Sequence, residues 1–126
     1  MPQLAIEYSG NLEGQFAPRA LALAVHQALV ETVATDLDNC KTRIRRLEEA
    51  VIASGGADEA MVHLDLRILS GRSDAQKQAL GEAAMALLRD AVGEPEGLRV
   101  QLTVEVRELD RPHYRKQVVD RRAPRP

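Results

Sequence analysis

Apolar and polar residues alternate along four separate stretches of the chain, and this period of two predicts four β-strands. The stretches are residues 4–8, 40–47, 62–68 and 98–106. The last is the most regular, with valine or leucine at every second position from Leu98 to Val106. Each strand carries one apolar face, so the sheet is expected to be covered by helices on one side only.

Two stretches show helical spacing instead. The first runs from Pro18 to about Ala34, and Pro18 suits a first helical turn because its missing N–H would be unpaired there. The second begins after Ser73, which forms a capping-box pattern with Gln76. Gly93 suits the C-terminal cap of this second helix.

The predicted order is β-α-β followed by β-α-β, with an offset of about 60 residues between the halves. This predicts an α+β fold: two β-α-β units forming a four-stranded mixed sheet, with two helices on one face. We expect a single domain over residues 1–110, made of repeats at about 1–55 and 58–110. Residues 111–126 form a basic C-terminal tail.

The length of 126 residues fits one domain with a sizeable core. Cys40 is the only cysteine, so no intrachain disulfide is possible, which favours a reducing compartment. No run of about 18 apolar residues predicts a membrane-spanning helix, and the first ten residues lack the pattern of a signal peptide. We therefore expect a cytoplasmic protein with no membrane partner.

Charge is unevenly distributed along the chain. Residues 1–110 carry 11 basic and 18 acidic side chains, a net charge of −7, whereas residues 111–126 carry six basic side chains and one acidic. The acidic body and the three aromatic residues argue against nucleic acid as a partner. We expect the tail to clasp the acidic body of a neighbouring subunit, anchored by Tyr114, Val118 and Val119.

Several short stretches together resemble the tautomerase superfamily, and more narrowly the 5-carboxymethyl-2-hydroxymuconate isomerase family. They are Met1-Pro2 opening a strand, Thr42-Arg43 after Lys41, and the run from Val62 to Ile68 leading into Gly71-Arg72-Ser73. The likeness continues through Glu108-Leu109 and Lys116-Gln117. It covers nearly the whole chain almost without gaps.

The resemblance implies that Met1 is removed and that the Pro2 secondary amine is the catalytic base, moving a proton between two carbons. Burial and nearby cations disfavour a protonated amine, which suits proton abstraction next to a carbonyl. Lys41, Arg43 and Arg45 share one strand face because their spacing is two. Cations there would bind a small dicarboxylate substrate and stabilise the dienolate.

The resemblance further implies that Arg43 and Arg72 contact substrate carboxylates, with Lys41 as a third candidate. It implies a homotrimer, with three sheets around a barrel-like core, and a role in aromatic catabolism without a cofactor. No metal is expected, since His26, His63 and His113 lack ligand spacing.

One position departs from the family pattern: members carry Arg where this chain has Lys41. Lysine offers a point charge rather than the bidentate fork of arginine, so the substrate of this chain can differ from that of the family's namesake. Two alternatives therefore stay open. One is a non-catalytic trimeric module that binds a small acid. The other is a Pro-dependent hydratase or decarboxylase on the same scaffold, for which Glu7, Asp65 and Glu105 are candidate water-activating carboxylates.

Overall fold

The computed structural model describes residues 2–124, and it contains four strands and two α-helices. The strands are β1 (Gln3–Ser9), β2 (Lys41–Leu47), β3 (Glu59–Leu69) and β4 (Arg99–Leu109). The helices are α1 (Pro18–Val33) and α2 (Asp74–Val92). The order along the chain is β-α-β-β-α-β, as predicted.

The strands form one mixed sheet in the order β2-β1-β3-β4. Each β-α-β unit has parallel strands, β1 with β2 and β3 with β4. The two units join through the antiparallel pair β1 and β3 at the centre of the sheet. This confirms the predicted α+β fold.

Local sequence signals set the helix boundaries. Pro18 occupies the first turn of α1. At the start of α2 the Ser73 hydroxyl accepts from the Gln76 backbone N–H, and the Gln76 side chain accepts from the Ser73 backbone N–H. The Gly93 N–H caps the other end by donating to the Arg89 carbonyl at 2.8 Å. Both predicted helix starts are confirmed.

The hydrophobic core lies between the two helices and one face of the sheet. Its fully buried members include Ile6, Val25, Leu29, Leu64 and Leu80. Burying one such side chain contributes roughly 2 kcal/mol to folding. Because the core takes every second residue of β1 and β3, the intervening residues are forced onto the opposite, polar face.

The polar face carries Lys41, Arg43, Arg45, Gln3, Glu7, His63, Asp65, Arg67, Thr103, Glu105 and Arg107, as the strand registers show. No element in the described part of the chain packs across this face. It forms an open groove of about 380 Å³ between β2 and β4. The prediction of a sheet covered on one side is therefore confirmed.

Two local predictions were imprecise. Strand β3 begins at Glu59 rather than Val62, because it continues to pair with β4 down to Arg99. Cys40, predicted as the first residue of the second strand, instead precedes β2 and is half-buried near the sheet edge. Neither helix in the described range is long and apolar enough to cross a bilayer.

Candidate functional site

The strand directions bring four chain segments to one end of the sheet. Strands β1 and β2 are parallel and start there, while β3 and β4 run the opposite way and finish there. The segments are Pro2, Cys40–Lys41, Leu69–Arg72 and Leu109–Arg111, and we call them the Pro2 end of the sheet. Three of the site residues predicted from the sequence, Pro2, Lys41 and Arg72, belong to these segments. The fourth, Arg43, lies two residues further along β2.

Pro2 is buried immediately before β1. The registers Gln3–Lys41 and Gln3–Arg67, extended by one residue, place Pro2 beside Cys40 and Ile68. Successive side chains along a strand point to opposite faces of the sheet. Because Gln3 lies on the polar face, the Pro2 ring lies on the helix side, as Leu4 does. An amine at this position borders apolar residues on one side and the polar face on the other.

Arg43 lies on the polar face, one strand away from β1. Its Nη1 donates a hydrogen bond to Oε1 of Gln3 at 2.7 Å. The side chain is exposed and lines the polar groove. A guanidinium has five N–H donors, so this one bond leaves most of the fork available to a carboxylate.

Lys41 stands directly opposite Gln3 in the parallel pair. It is half-buried, and its Nζ donates to the backbone carbonyl of Asn39 at 2.6 Å. This contact holds the ammonium close to the start of β2. Arg45, further along the same face, lies 3.9 Å from Glu7 and is paired with that carboxylate instead.

Arg72 approaches the Pro2 end from the helix side. Its Nε donates to the carbonyl of Val33, at the last residue of α1, at 2.9 Å. The side chain is half-buried. Its two Nη nitrogens form no hydrogen bond to any residue between 2 and 124. The three predicted cations therefore divide, with Lys41 and Arg43 on the polar face and Arg72 on the helix side.

Burial also affects two titratable groups near β2. It raises the pKa of the Cys40 thiol, with Lys41 acting in the opposite direction. Burial and, secondly, the charge of Lys41 lower the pKa of His26. His26 lies on α1, and its Nε2 is 2.7 Å from the Thr42 hydroxyl on the apolar side of β2. Both groups favour their neutral forms at neutral pH.

The start of the tail contacts the Pro2 end of its own chain. Gln3 Nε2 donates to the Tyr114 hydroxyl at 2.9 Å, and the Lys116 ammonium donates to Oδ1 of Asn39. The Arg111 guanidinium donates twice to the Ser70 carbonyl. Tyr114 was expected to anchor the tail on a neighbouring subunit, but in the chain itself it binds β1. Sequence patterns missed these contacts, because they join residues up to 111 positions apart.

The candidate water-activating carboxylates lie on the polar face. Asp65 accepts hydrogen bonds from both Arg107 and Arg67, and Arg107 is the larger cause of its lowered pKa. Glu105 lies 3.8 Å from Arg107. His63, Asp65 and Glu105 approach within 4.8 Å of one another, but the arginines already occupy the Asp65 oxygens. This cluster is a network of ion pairs.

Comparison with known proteins identifies the family. The family model for 5-carboxymethyl-2-hydroxymuconate isomerase matches residues 2–122. A 5-carboxymethyl-2-hydroxymuconate Delta-isomerase from Escherichia coli is 29% identical over 89 residues, which is 71% of each chain.

Solved structures show the same relationship. The crystal structure of a 5-carboxymethyl-2-hydroxymuconate isomerase from Deinococcus radiodurans R1 is 28% identical, with a TM-score of 0.83 over 92% of this chain and 88% of that one. A fused 4-OT symmetric trimer shares the fold at 20% identity, with a TM-score of 0.65 over 86% of this chain and 85% of its own. The chain therefore belongs to the 5-carboxymethyl-2-hydroxymuconate isomerase family and is an isomerase.

Proposed function

We propose that this isomerase moves a proton within a small unsaturated keto or hydroxy diacid, with the Pro2 amine as the base. The observation that carries the proposal is the position of Pro2. It is buried at the start of β1, between a side bearing Lys41 and Arg43 and a side bearing Arg72. Removal of Met1 would expose the secondary amine at this point.

Two features of the surroundings favour a neutral amine. Burial disfavours the protonated form, and positive charges from Lys41, Arg43 and Arg72 act in the same direction. A neutral secondary amine can take a proton from a carbon or from the enol oxygen of the substrate. The resulting ammonium then returns the proton to another carbon, so no other acid is required.

The cations supply binding and charge stabilisation. A dienolate forms when the substrate loses its proton, and fixed positive charges stabilise it more than they stabilise the neutral substrate. Arg43 and Arg72 offer planar forks that fit carboxylates. Lys41 offers a single point charge, held by Asn39, so its contribution is less directional. Cations on both sides of Pro2 suit a substrate with two carboxylates.

The uncovered polar face supports assembly into a homotrimer. Three copies could place these faces around a barrel-like core, where the rows of arginine, glutamate and aspartate meet through polar contacts. The likeness to a trimeric fold supports this proposal. Native mass spectrometry tests it: a trimer has three times the 13.9 kDa mass of the chain, and a monomer at micromolar concentration would contradict it.

We also propose a place for this reaction in the catabolism of aromatic compounds, as the family resemblance implies. The free Cys40 thiol favours the cytoplasm as the compartment. Fractionation of the producing cells tests the location.

The experiment mixes purified protein with 2-hydroxymuconate or phenylenolpyruvate and follows the ultraviolet change on ketonisation. Mass spectrometry first establishes that Met1 is absent. We expect turnover by the wild-type protein and a loss of about 10²-fold or more in Pro2→Ala, in which a primary amine replaces the ring nitrogen. Equal rates for the two proteins would overturn the proposal.

Binding without turnover is the second candidate function, and it is favoured by Lys41, where the family resemblance implies an arginine. Calorimetric binding of a diacid with no ultraviolet change would support this candidate.

A hydratase or decarboxylase receives less support, because Asp65 is held by two arginines and Glu7 is paired with Arg45. Product analysis separates these reactions from a simple proton shift.

A further inference from the structure

Gln3 connects the tail with a candidate substrate-binding cation. Its Oε1 accepts from Arg43 at 2.7 Å, while its Nε2 donates to the Tyr114 hydroxyl at 2.9 Å. Arginine is only a donor, so the amide oxygen must face Arg43. The amide nitrogen then faces Tyr114, which accepts. The Tyr114 hydroxyl therefore fixes the orientation of the amide that holds Arg43.

Asn39 makes the same kind of connection to the second cation. Its backbone carbonyl accepts from Lys41 at 2.6 Å, and its side-chain oxygen accepts from Lys116. Residue 39 immediately precedes Cys40 and β2, so its position sets where the Lys41 ammonium lies. Two tail residues, two apart in sequence, thus contact the two residues that hold Arg43 and Lys41.

The tail is itself fixed at the point where it leaves β4. Arg111 donates to the Ser70 carbonyl through both Nε and Nη2, at 3.0 and 2.9 Å, and a short 3-10 turn follows over Arg111–His113. This turn directs Tyr114 back towards the start of β1. Tyr114 is half-buried, whereas the residues after it are exposed up to residue 124. The contacts to the sheet are therefore concentrated in residues 111–116.

We propose that Tyr114 and Lys116 are positioning residues that orient Arg43 and Lys41 for a dicarboxylate ligand. The inference rests on the proposed function in one respect: Arg43 and Lys41 must bind the diacid. Long arginine and lysine side chains lose rotamer entropy when they clasp a ligand. Holding them in place before the ligand arrives reduces that cost, so the tail raises affinity without touching the ligand.

The test compares two truncations of the full chain. Ending the chain after Gln117 keeps both contacts and serves as the matched control. Ending it after His113 removes both contacts. The probe is cis,cis-muconate, a six-carbon diacid, titrated by calorimetry, with sorbate as the six-carbon monoacid of the same skeleton. Thermal unfolding of each variant shows whether it folds.

We expect the truncation after His113 to raise the Kd for muconate about tenfold, a typical cost of ordering two long side chains. The truncation after Gln117 should stay within about twofold of the full chain. The loss should be smaller for sorbate, which presents only one carboxylate to the cations. In turnover experiments the same truncation should lower kcat/KM about tenfold or more, with the loss shared between KM and kcat, because Arg43 and Lys41 both bind the diacid and stabilise the dienolate.

Tyr114→Phe gives a test that changes neither charge nor chain length. We expect about a threefold rise in the Kd for muconate, and no change in the control Tyr8→Phe. Tyr8 lies at the far end of β1, where its hydroxyl donates to Glu13. Lys116→Arg, which retains a donor for Asn39, should keep most of the affinity that Lys116→Met loses.

The outcomes separate this inference from the proposed function. Pro2-dependent turnover with equal muconate affinity in both truncations and in Tyr114→Phe would overturn the positioning role and leave the function intact. Weaker muconate binding after truncation, in a protein without turnover, would support positioning and overturn the catalytic role of Pro2. A folded wild-type protein that fails to bind muconate would overturn the positioning role as well.

Discussion

The Arg107 guanidinium donates two hydrogen bonds to the Asp65 carboxylate, with N–O distances of 2.9 and 2.8 Å. Arg67 adds a third at 3.0 Å. Asp65 is only 7% exposed, at the centre of the polar face, where an unpaired carboxylate would be costly. This pair joins β3 and β4 across the part of the sheet that faces away from the core.

Replacing Arg107 by methionine should therefore destabilise the fold. We expect the free energy of unfolding to fall by about 1–2 kcal/mol, near the lower end for a hydrogen bond to a charged group. The loss is limited because Arg67 still donates to Asp65 and because the Arg107 side chain is 44% exposed. Urea unfolding at pH 7 measures the change. Arg99→Met, which removes the exposed end of a pair with Glu59, is the control and should lose less. Equal losses would contradict a special role for Asp65.

The same pair predicts how stability depends on acid. Arg107 is the main cause that lowers the pKa of Asp65 from its ordinary value of 3.8, so the folded state holds the ionised form. The resulting stabilisation is present above pH 3.8 and is lost as the pH falls through the folded pKa. Asp65→Asn should be less stable at pH 7, and its deficit against the wild type should shrink below pH 4. A constant deficit would contradict the assignment.

His26 predicts a second dependence on pH, in a higher range. Burial, and secondly the charge of Lys41, lower its pKa below the ordinary 6.5, so the unfolded chain binds this proton more tightly than the folded one. Stability should therefore fall as the pH drops below about 6.5, until the folded form is also protonated. His26→Gln keeps a polar partner for Thr42 and should lose this part of the dependence. The same dependence of stability on pH in the wild type and in His26→Gln would contradict this role of His26.

The capping box of α2 predicts a local effect on stability. Ser73→Ala removes the hydroxyl that accepts from the Gln76 N–H, which should cost about 1 kcal/mol. Ser73→Asp, which can still accept, should recover most of that loss. Thermal unfolding measures both. Because Ser73 follows Arg72 directly, a large fall in activity without a loss of stability would indicate that the cap also places Arg72.

Lys41 predicts an effect on substrate binding rather than on folding. Lys41→Met removes a charge from the Pro2 end and should raise KM for a diacid about tenfold or more. Lys41→Arg keeps the charge and adds a bidentate fork, so KM should stay close to the wild-type value or fall below it. Steady-state kinetics on 2-hydroxymuconate measure KM for the wild type and both variants. An unchanged KM in Lys41→Met would exclude Lys41 from the diacid site.

Local patterns were sufficient to predict the elements of this fold. Alternation predicts the four strands, and the signals at Pro18, Ser73 and Gly93 predict where the helices begin or end. These signals involve only residues close together in the sequence, so they can be recognised without knowing the tertiary structure. The start of β3 was missed because Glu59 joins the strand only by pairing with Arg99 of β4.

The candidate site could be predicted only in part. Pro2, Lys41, Arg43 and Arg72 were proposed through a family resemblance, and the topology brings their segments to one end of the sheet. The bonds that orient them were not predictable, since Gln3 and Tyr114 carry no pattern that marks a contact. The same holds for the Asp65–Arg107 pair, because parallel register depends on the path of the intervening helix.

The pH dependence of kcat/KM tests the role of Pro2 most directly, measured on 2-hydroxymuconate with protein shown by mass spectrometry to lack Met1. The wild-type protein should lose activity as the pH falls, in one protonation step, because only the neutral amine can accept a proton. Pro2→Ala should be slower by about 10²-fold or more throughout this range. Coincident profiles for the two proteins, or wild-type activity that rises as the pH falls, would contradict a neutral Pro2 base.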